Sequence, residues 1–300
     1  MEEHAPTVNE RPETNAEEVP PTESEAGLEA TARLVAHCRV ELGRVIAGQT
    51  ELIDQALIAV LCHGHALVEG VPGIAKTLTV KLLAAVLGIE FHRVQSTPDL
   101  MPGDILGTTI FRPGTQDFSL HRGPVFTSFL LVDEINRMPP RTQAALLECM
   151  EERQVTIDGT THRLPEFFTV FATQNPVDFE GTYPLPEAQL DRFLIKLRMN
   201  YPSASDERLI LERHHQTAGS RGIETDSLQP LAPGLLPAAQ REVRRVRIET
   251  ALFDYILNLA RRSREWPMLV LGASPRAGSQ PDAGFTGLRR PRRPWVPDPR

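Results

Sequence analysis

The sequence predicts an α/β protein with a parallel sheet flanked by helices, followed by a small α-helical domain. Three observations support this fold class. Short apolar runs alternate with segments of helical periodicity, which is typical of parallel sheets. The run at residues 129–132 is apolar throughout, as expected for a strand covered on both faces. After Pro202 the pattern becomes helical, which indicates a second, smaller unit.

The order of the elements follows from these patterns. Apolar residues at helical spacing predict helices that begin near residue 28 and at about residue 52, before the first strand. The remaining helices are expected over residues 76–87, from Ser203 or Ser205 to about residue 215, and around residues 252–260. Strands are expected at residues 65–69, 91–95, 129–132, 167–172 and 193–197. Asp158-Gly159 between two β-prone runs predicts a hairpin.

Composition divides the 300 residues into four parts. Residues 1–27 are rich in Glu, Pro and Thr, which predicts a disordered acidic tail because such a segment buries little apolar surface. Residues 28–201 are the predicted α/β domain, and residues 202–278 are the predicted small helical domain (the lid). Residues 279–300 are rich in Pro and Arg and show no periodicity, so we expect a tail outside the fold.

The charge of the chain restricts its partners. The formal net charge is −7, but the acidic N-terminal segment alone carries a charge of −7, and the body between the tails is close to neutral. A near-neutral body argues against an extended nucleic-acid footprint. No apolar run is long enough to span a bilayer, and the polar N-terminus is not a secretory signal, so we expect a cytoplasmic protein without a membrane partner.

The three cysteines are scattered and form no CxxC pair, which argues against a disulfide framework or a zinc site. Buried thiols are the ordinary expectation for such residues, because cysteine behaves as a small apolar side chain. The sequence therefore predicts neither a redox centre nor a cysteine-bound metal.

A glycine-containing loop follows the first predicted strand and opens a helix. This is the context of a phosphate-binding loop, whose amides and helix N-terminus attract phosphate. Lys76 would reach the β- and γ-phosphates of ATP, and the Thr77 hydroxyl would bind Mg²⁺. The alternative is a tight turn with an exposed lysine, since Ala75 occupies the place of a usual glycine. The loop is Gly70-Val71-Pro72-Gly73-Ile74-Ala75-Lys76-Thr77.

Two carboxylates end the apolar strand at residues 129–132. Residues at the carboxyl edge of a parallel sheet face the ligand crevice. Asp133 is therefore expected to hold Mg²⁺, and Glu134 to polarise the attacking water as general base. Asn175 ends a further strand before Pro176. It is expected either to bind the γ-phosphate or orient the attacking water, or only to serve as a turn residue.

Taken together, these segments resemble the MoxR family of AAA+ ATPases. The resemblance covers about residues 30–278 and rests on GVPGIAKT, LLVDEINR, FATQNP, YPLPEAQLDRF and GASPRA, in that order. The family loop also carries alanine before lysine. The resemblance implies that Asn175 is the sensor-1 residue, that Arg192 is an arginine finger reaching a neighbouring subunit, and that Arg276 is the sensor-2 residue.

The resemblance also implies partners. It implies a ring of identical subunits, usually a hexamer, with ATP between subunits, and a chaperone-like role on a protein client. Proteins with von Willebrand factor A domains are frequent partners in the family. The hairpin at Asp158-Gly159 and residues 97–111 resemble inserts of this group, and they are either surface hairpins or remodelling loops. An ATP-binding switch without useful hydrolysis and a DNA-directed motor remain alternatives.

The match to the family ends after Gly278. Residues 279–300 resemble an out-of-frame translation of a GC-rich gene, so the lid is expected to be incomplete. An incomplete lid would hold Arg276 poorly and would reduce ATP turnover even if the phosphate loop were intact.

Overall fold

The computed structural model describes most of the body of the chain. Residues 1–26 of the predicted acidic tail, the Pro/Arg-rich tail and Arg276 lie outside the described residues. The described residues are 27–114, 116–176, 181–216, 228–269 and 272–274.

A five-stranded parallel sheet forms the centre of the fold. Its strands run in the order β2-β5-β8-β1-β9, and every neighbouring pair is parallel. The predicted fold class is confirmed. The strands of the sheet are β1 (Ala66–Gly70), β2 (Phe91–Gln95), β5 (Phe129–Asp133), β8 (Thr169–Gln174) and β9 (Ile195–Met199).

Helices cover both faces of the sheet, and they create two hydrophobic cores. Alternate residues of β5 point to opposite faces: Phe129 and Leu131 enter one core and Leu130 and Val132 enter the other. The first core contains residues of α1, α2, α3 and α8, and the second those of α5. The helices are α1 (Glu29–Gly43), α2 (Thr50–Leu61), α3 (Lys76–Leu87), α4 (Pro102–Leu106), α5 (Pro140–Glu152), α6 (Glu187–Leu190), α7 (Ala204–Gln216), α8 (Leu235–Arg244) and α9 (Thr250–Glu265).

Two antiparallel hairpins lie outside the central sheet. The predicted hairpin is confirmed as β6 (Gln154–Ile157) and β7 (Thr160–Arg163), joined by Asp158 and Gly159 with φ of 49° and 78°. Positive φ at both central residues matches the twist of adjacent strands. The predicted insert at residues 97–111 contains α4 and most of β3 (Gly107–Arg112). Its hairpin partner, β4 (Asp117–Arg122), extends beyond that prediction.

Part of the predicted lid packs against the α/β domain. Residues 228–244 contact α1, α2 and α3 and contribute side chains to the first core. Glu242 on α8 also accepts hydrogen bonds from the amides of Ala30 and Thr31, at 2.9 and 2.8 Å. This carboxylate satisfies unpaired N–H groups at the start of α1 and fixes α8 against it. The buried apolar residues from this segment are Leu228, Leu231, Leu236 and Ala239.

Candidate functional site

The carboxyl ends of β1, β8 and β5 lie side by side, and the predicted site residues follow these ends. The glycine-containing loop follows β1, Asp133 ends β5, and Asn175 follows β8. Because neighbouring parallel strands end at one edge of the sheet, their loops enclose a common crevice. Residues far apart in the sequence therefore meet at this edge.

The loop after β1 needs its glycines for two different reasons. A Cβ on Gly70 would lie 2.5 Å from Ile74 Cδ1 and 2.9 Å from the Met199 carbonyl oxygen, so only glycine fits against β9. Gly73 has φ of 83°, a backbone conformation that favours glycine. Ala75 is also left-handed, with φ of 62° and ψ of 29°, at the N-cap of α3. Left-handed backbone in a non-glycine residue is strained, and such strain is concentrated at functional sites.

Lys76 begins α3 and turns back over the loop. Its Nζ donates hydrogen bonds to the carbonyl oxygens of Gly70 and of Val71, the latter at 3.1 Å. Burial lowers the pKa of Lys76, while the nearby carboxylates of Asp133 and Glu134 oppose that shift. The ammonium group is therefore held beside the amides at the positive end of a 12-residue helix.

Asp133 joins β5 to the loop. The residue is 5% exposed, and both carboxylate oxygens lie 2.9–3.0 Å from the Thr77 hydroxyl. Thr173, on β8, donates its hydroxyl to Asp133 Oδ1 at 2.7 Å. A hydroxyl and a carboxylate at this separation are the oxygen ligands that Mg²⁺ takes alongside substrate phosphates.

The oxygen set is too small for an all-protein metal cage. Within the described part of the chain, no three His, Cys, Asp or Glu side chains are grouped so that they could hold a metal ion. Mg²⁺ is usually held by one or two protein oxygens plus the phosphates of its nucleotide, so Thr77 and Asp133 fit that arrangement.

Arg93 is a site residue that the sequence motifs did not indicate. It lies on β2, the neighbour of β5, and its Nε and Nη2 donate to Asp133 Oδ2 at 3.0 and 2.7 Å. Nη2 also donates to Gln95 Oε1 at 2.7 Å. The alternation of Arg93 and Gln95 along one strand face could have indicated a polar site, but only the strand order places them beside Asp133.

Glu134 leaves the sheet in a left-handed conformation, with φ of 56° and ψ of 52°. Its amide donates to the Thr173 hydroxyl at 2.9 Å. Its carboxylate is paired with Arg137, with Nε and Oε2 3.2 Å apart. Thr173 therefore bonds to both acidic residues and fixes the backbone that carries them, which is a second contact that the sequence did not indicate.

Asn175 lies between the loop and the acidic residues. It follows β8, whose last residue, Gln174, is aligned with Glu69 next to the start of the loop. Asn175 is 8% exposed, so it is held within the packed edge and not on the surface. The predicted residues Lys76, Thr77, Asp133, Glu134 and Asn175 thus come together at one edge of the sheet.

Arg192 lies at the other edge. It precedes β9, whose first residue is aligned with Ala66, whereas Gly70 at the start of the loop is aligned with Met199. Its Nε is paired with Glu151 Oε2 at 3.0 Å, at the end of α5. The strand between these edges spans about 13 Å, given the ~3.3 Å rise per residue. Arg276 lies outside the described residues.

Comparison with known proteins identifies what this arrangement is similar to. Residues 65–195 match the "ATPase family associated with various cellular activities (AAA)". The chain is 47% identical over 236 residues to "Uncharacterized protein YeaC" of Bacillus subtilis, covering 78% of this chain and 72% of that protein. It is 44% identical over 271 residues to "Chaperone MoxR1" of Mycobacterium tuberculosis, covering 87% of this chain and 70% of that one.

A solved structure is also similar to this chain. The crystal structure of a candidate ATPase from Cytophaga hutchinsonii matches with a TM-score of 0.73 and 39% identity, covering 86% of this chain and 78% of that one. Separately, none of the helices in the described ranges has the length and apolar character needed to cross a membrane.

Proposed function

We propose that this chain, which belongs to the MoxR-type AAA+ ATPases, binds ATP with Mg²⁺ at the loop after β1 and hydrolyses the γ-phosphate. One observation carries the proposal: the Thr77 hydroxyl and the Asp133 carboxylate lie within 3.0 Å of each other, next to Lys76. The Lys76 ammonium group and the loop amides can bind phosphate. The oxygens of Thr77 and Asp133 can bind a metal ion.

Each residue has a task that its position supports. The amides of the loop and of the first turn of α3 bind phosphate oxygens, and Lys76 supplies the positive charge. Thr77 and Asp133 hold Mg²⁺, directly or through water. When bound, the ion neutralises charge on the β- and γ-phosphates.

Glu134 is the proposed general base. Its left-handed backbone turns it out of β5, and its partly exposed carboxylate lies near Arg137. Because Asp133 is held by Thr77, Thr173 and Arg93, it is not available to accept a proton from water. Asn175 is proposed to bind the γ-phosphate or the attacking water by its amide.

Arg192 is proposed to act on a neighbouring subunit. It lies at the edge of the sheet opposite to the loop of its own chain. A head-to-tail contact between identical subunits can instead bring Arg192 to the loop after β1 of the neighbouring subunit. When the rotation between subunits closes, repetition of that contact forms a ring. Such a cation offsets the charge that develops in phosphoryl transfer. We therefore propose a ring oligomer, with six subunits as the family expectation.

The proposed role of the ring is chaperone-like remodelling of a protein client, for which a protein with a von Willebrand factor A domain is one candidate. A relative bearing the name chaperone supports this proposal. The alternatives are an ATP-binding switch with impaired hydrolysis and a DNA-directed motor. The near-neutral body disfavours the motor, since tight DNA binding requires many cationic contacts.

Steady-state phosphate release with Mg²⁺ and with excess chelator tests the proposal. We expect ATP-dependent phosphate release that requires the metal, together with a larger solution mass when ATP is present. Binding of ATP without phosphate release would support the switch. DNA-stimulated release that weakens steeply with salt would support the motor.

A further inference from the structure

We propose that Arg93 is a positioning residue that neutralises Asp133 when no magnesium is bound, and thereby sets the Mg²⁺ concentration at which nucleotide binds. The proposal rests on the proposed function, because it takes Asp133 as the acidic group that holds the metal. It adds a competitor to the metal site, supplied by the neighbouring strand.

The first argument is the burial of Asp133. A carboxylate taken out of water needs hydrogen bonds and an opposite charge. Thr77 and Thr173 supply hydroxyl groups, but neither carries a charge. The ion pair of Asp133 is with Arg93, at 2.7 Å. Lys76 instead donates to two backbone carbonyl oxygens of the loop.

The second argument is that Arg93 and the proposed metal contact the same group. Both Arg93 hydrogen bonds end on Asp133 Oδ2, and Thr77, the other proposed ligand, also lies 2.9 Å from that atom. A guanidinium and a divalent cation both require the carboxylate charge. Metal binding must therefore weaken or displace the Arg93 contact.

The third argument is that the Arg93 side chain can move away from Asp133 with a small loss of free energy. Its side chain is 49% exposed, whereas that of Asp133 is 7% exposed, so the guanidinium regains water without exposing a core. Gln95 Oε1 already accepts a bond from Nη2 at 2.7 Å and retains the side chain at the edge of β2. Arg93 is thus a replaceable partner, while the two threonines are fixed ones.

The test measures nucleotide binding, not turnover. A fluorescent ADP analogue is titrated with the full-length chain at a series of Mg²⁺ concentrations and in excess chelator. In Arg93→Gln, we expect the half-saturating Mg²⁺ concentration to fall about 3- to 10-fold, because the competing cation is gone. In chelator, we expect the analogue to bind about 2- to 5-fold more weakly, because the uncompensated carboxylate repels phosphate.

A lower half-saturating Mg²⁺ concentration together with weaker binding in chelator distinguishes this role from general damage to the protein. General damage would weaken nucleotide binding under both conditions. Arg39→Gln is the matched control, because it removes a two-bond arginine–aspartate pair (Arg39–Asp54, 2.7 and 2.8 Å) between α1 and α2. It should leave both values unchanged. Arg93→Lys keeps the charge without the two-bond geometry, and we expect a Mg²⁺ requirement between those of the parent and Arg93→Gln.

An unchanged or higher Mg²⁺ requirement in a folded Arg93→Gln protein overturns the proposal. If Arg93→Gln fails to fold, a value for Arg93→Lys equal to or above that of the parent overturns it. A parent chain that binds the analogue independently of Mg²⁺ would reject both this inference and the assignment of Asp133. Mg²⁺-dependent binding by the parent, with no effect of Arg93, rejects the inference alone.

Discussion

Thr77 and Asp133 are 56 residues apart in the chain, yet the hydroxyl of one lies 2.9 Å from the carboxylate of the other. This contact joins the first turn of α3 to the end of β5. It exists because β8 alone separates β1 from β5 in the sheet. The same contact places a metal-binding oxygen pair beside the proposed phosphate loop.

Replacing Glu134 with Gln removes the proposed base while keeping the shape of the side chain. We expect phosphate release to fall by about 10²- to 10⁴-fold, the usual contribution of general acid–base catalysis. ATP affinity should stay close to that of the parent, because Asp133 and the loop are unchanged. Glu152→Gln, an exposed carboxylate at the end of α5, is the control. Normal phosphate release by Glu134→Gln would reject the assignment.

The left-handed backbone of Ala75 predicts opposite effects of two substitutions. Valine is poorly tolerated at positive φ, so Ala75→Val should lower the free energy of unfolding by about 1–2 kcal/mol and weaken nucleotide binding. Ala75→Gly removes the strain but frees the unfolded chain, so its effect should stay within about 1 kcal/mol. Chemical denaturation measures both values. A stable, tightly binding Ala75→Val protein would show that this backbone conformation is wrong.

Arg192 should act between chains. We expect Arg192→Ala to lose about 10³-fold or more of its phosphate release, as when an arginine finger is removed. A mixture with inactive Glu134→Gln chains should recover activity. In an equal mixture, about one quarter of the sites would combine an intact base with an intact neighbouring arginine. If phosphate release does not recover although the chains mix, Arg192 does not act across an interface.

The cysteines should differ in reactivity. Burial raises the pKa of Cys38 and of Cys149 to about 12, whereas Cys62 is partly exposed. Because thiolate is the reactive form, a thiol reagent at pH 8 should modify Cys62 rapidly and the other two only after unfolding. Mass spectrometry of the modified chain identifies the sites. Rapid native-state modification of Cys149 would contradict the packing of α5.

The same two thiols predict a loss of stability in alkaline solution. Their pKa values are higher in the folded chain than in the unfolded chain, so their contribution is complete below about pH 9 and declines as pH rises towards 12. For each thiol, the free energy of unfolding should fall by roughly 1 kcal/mol per pH unit in that range. Denaturant unfolding at pH 8 and 10 measures the loss. Cys38→Ala/Cys149→Ala should show a smaller decrease, and an equal decrease would reject this explanation.

The loop and the acidic pair were predictable because their information is local. A strand, a glycine-containing turn and a helix start are consecutive in the chain, and parallel strands end at a common edge. Arg93 was not predictable in the same way. Its role depends on β2 lying next to β5 in the sheet. The order of strands in a sheet cannot be deduced from local sequence patterns.

Helix α8 was missed for a different reason. Gly234 and Pro237 break the periodicity and suggest a loop, yet Gly234 is the left-handed N-cap and Pro237 lies in the first turn. Proline is tolerated there, because the first N–H groups of a helix have no intrahelical partner. Strand β9 also begins two residues later than predicted, because the Phe193 amide donates to the Leu190 carbonyl oxygen in the turn that follows α6.

The central claim concerns Lys76 and the loop that it covers. Equilibrium binding of a fluorescent ATP analogue to Lys76→Ala, compared with Lys81→Ala on the exposed face of α3, tests it most directly. We expect Lys76→Ala to lose about 10- to 100-fold in affinity, the value of a charge-assisted phosphate contact, and Lys81→Ala to bind as the parent does. Equal affinity in all three proteins would contradict a phosphate-binding role for the loop after β1.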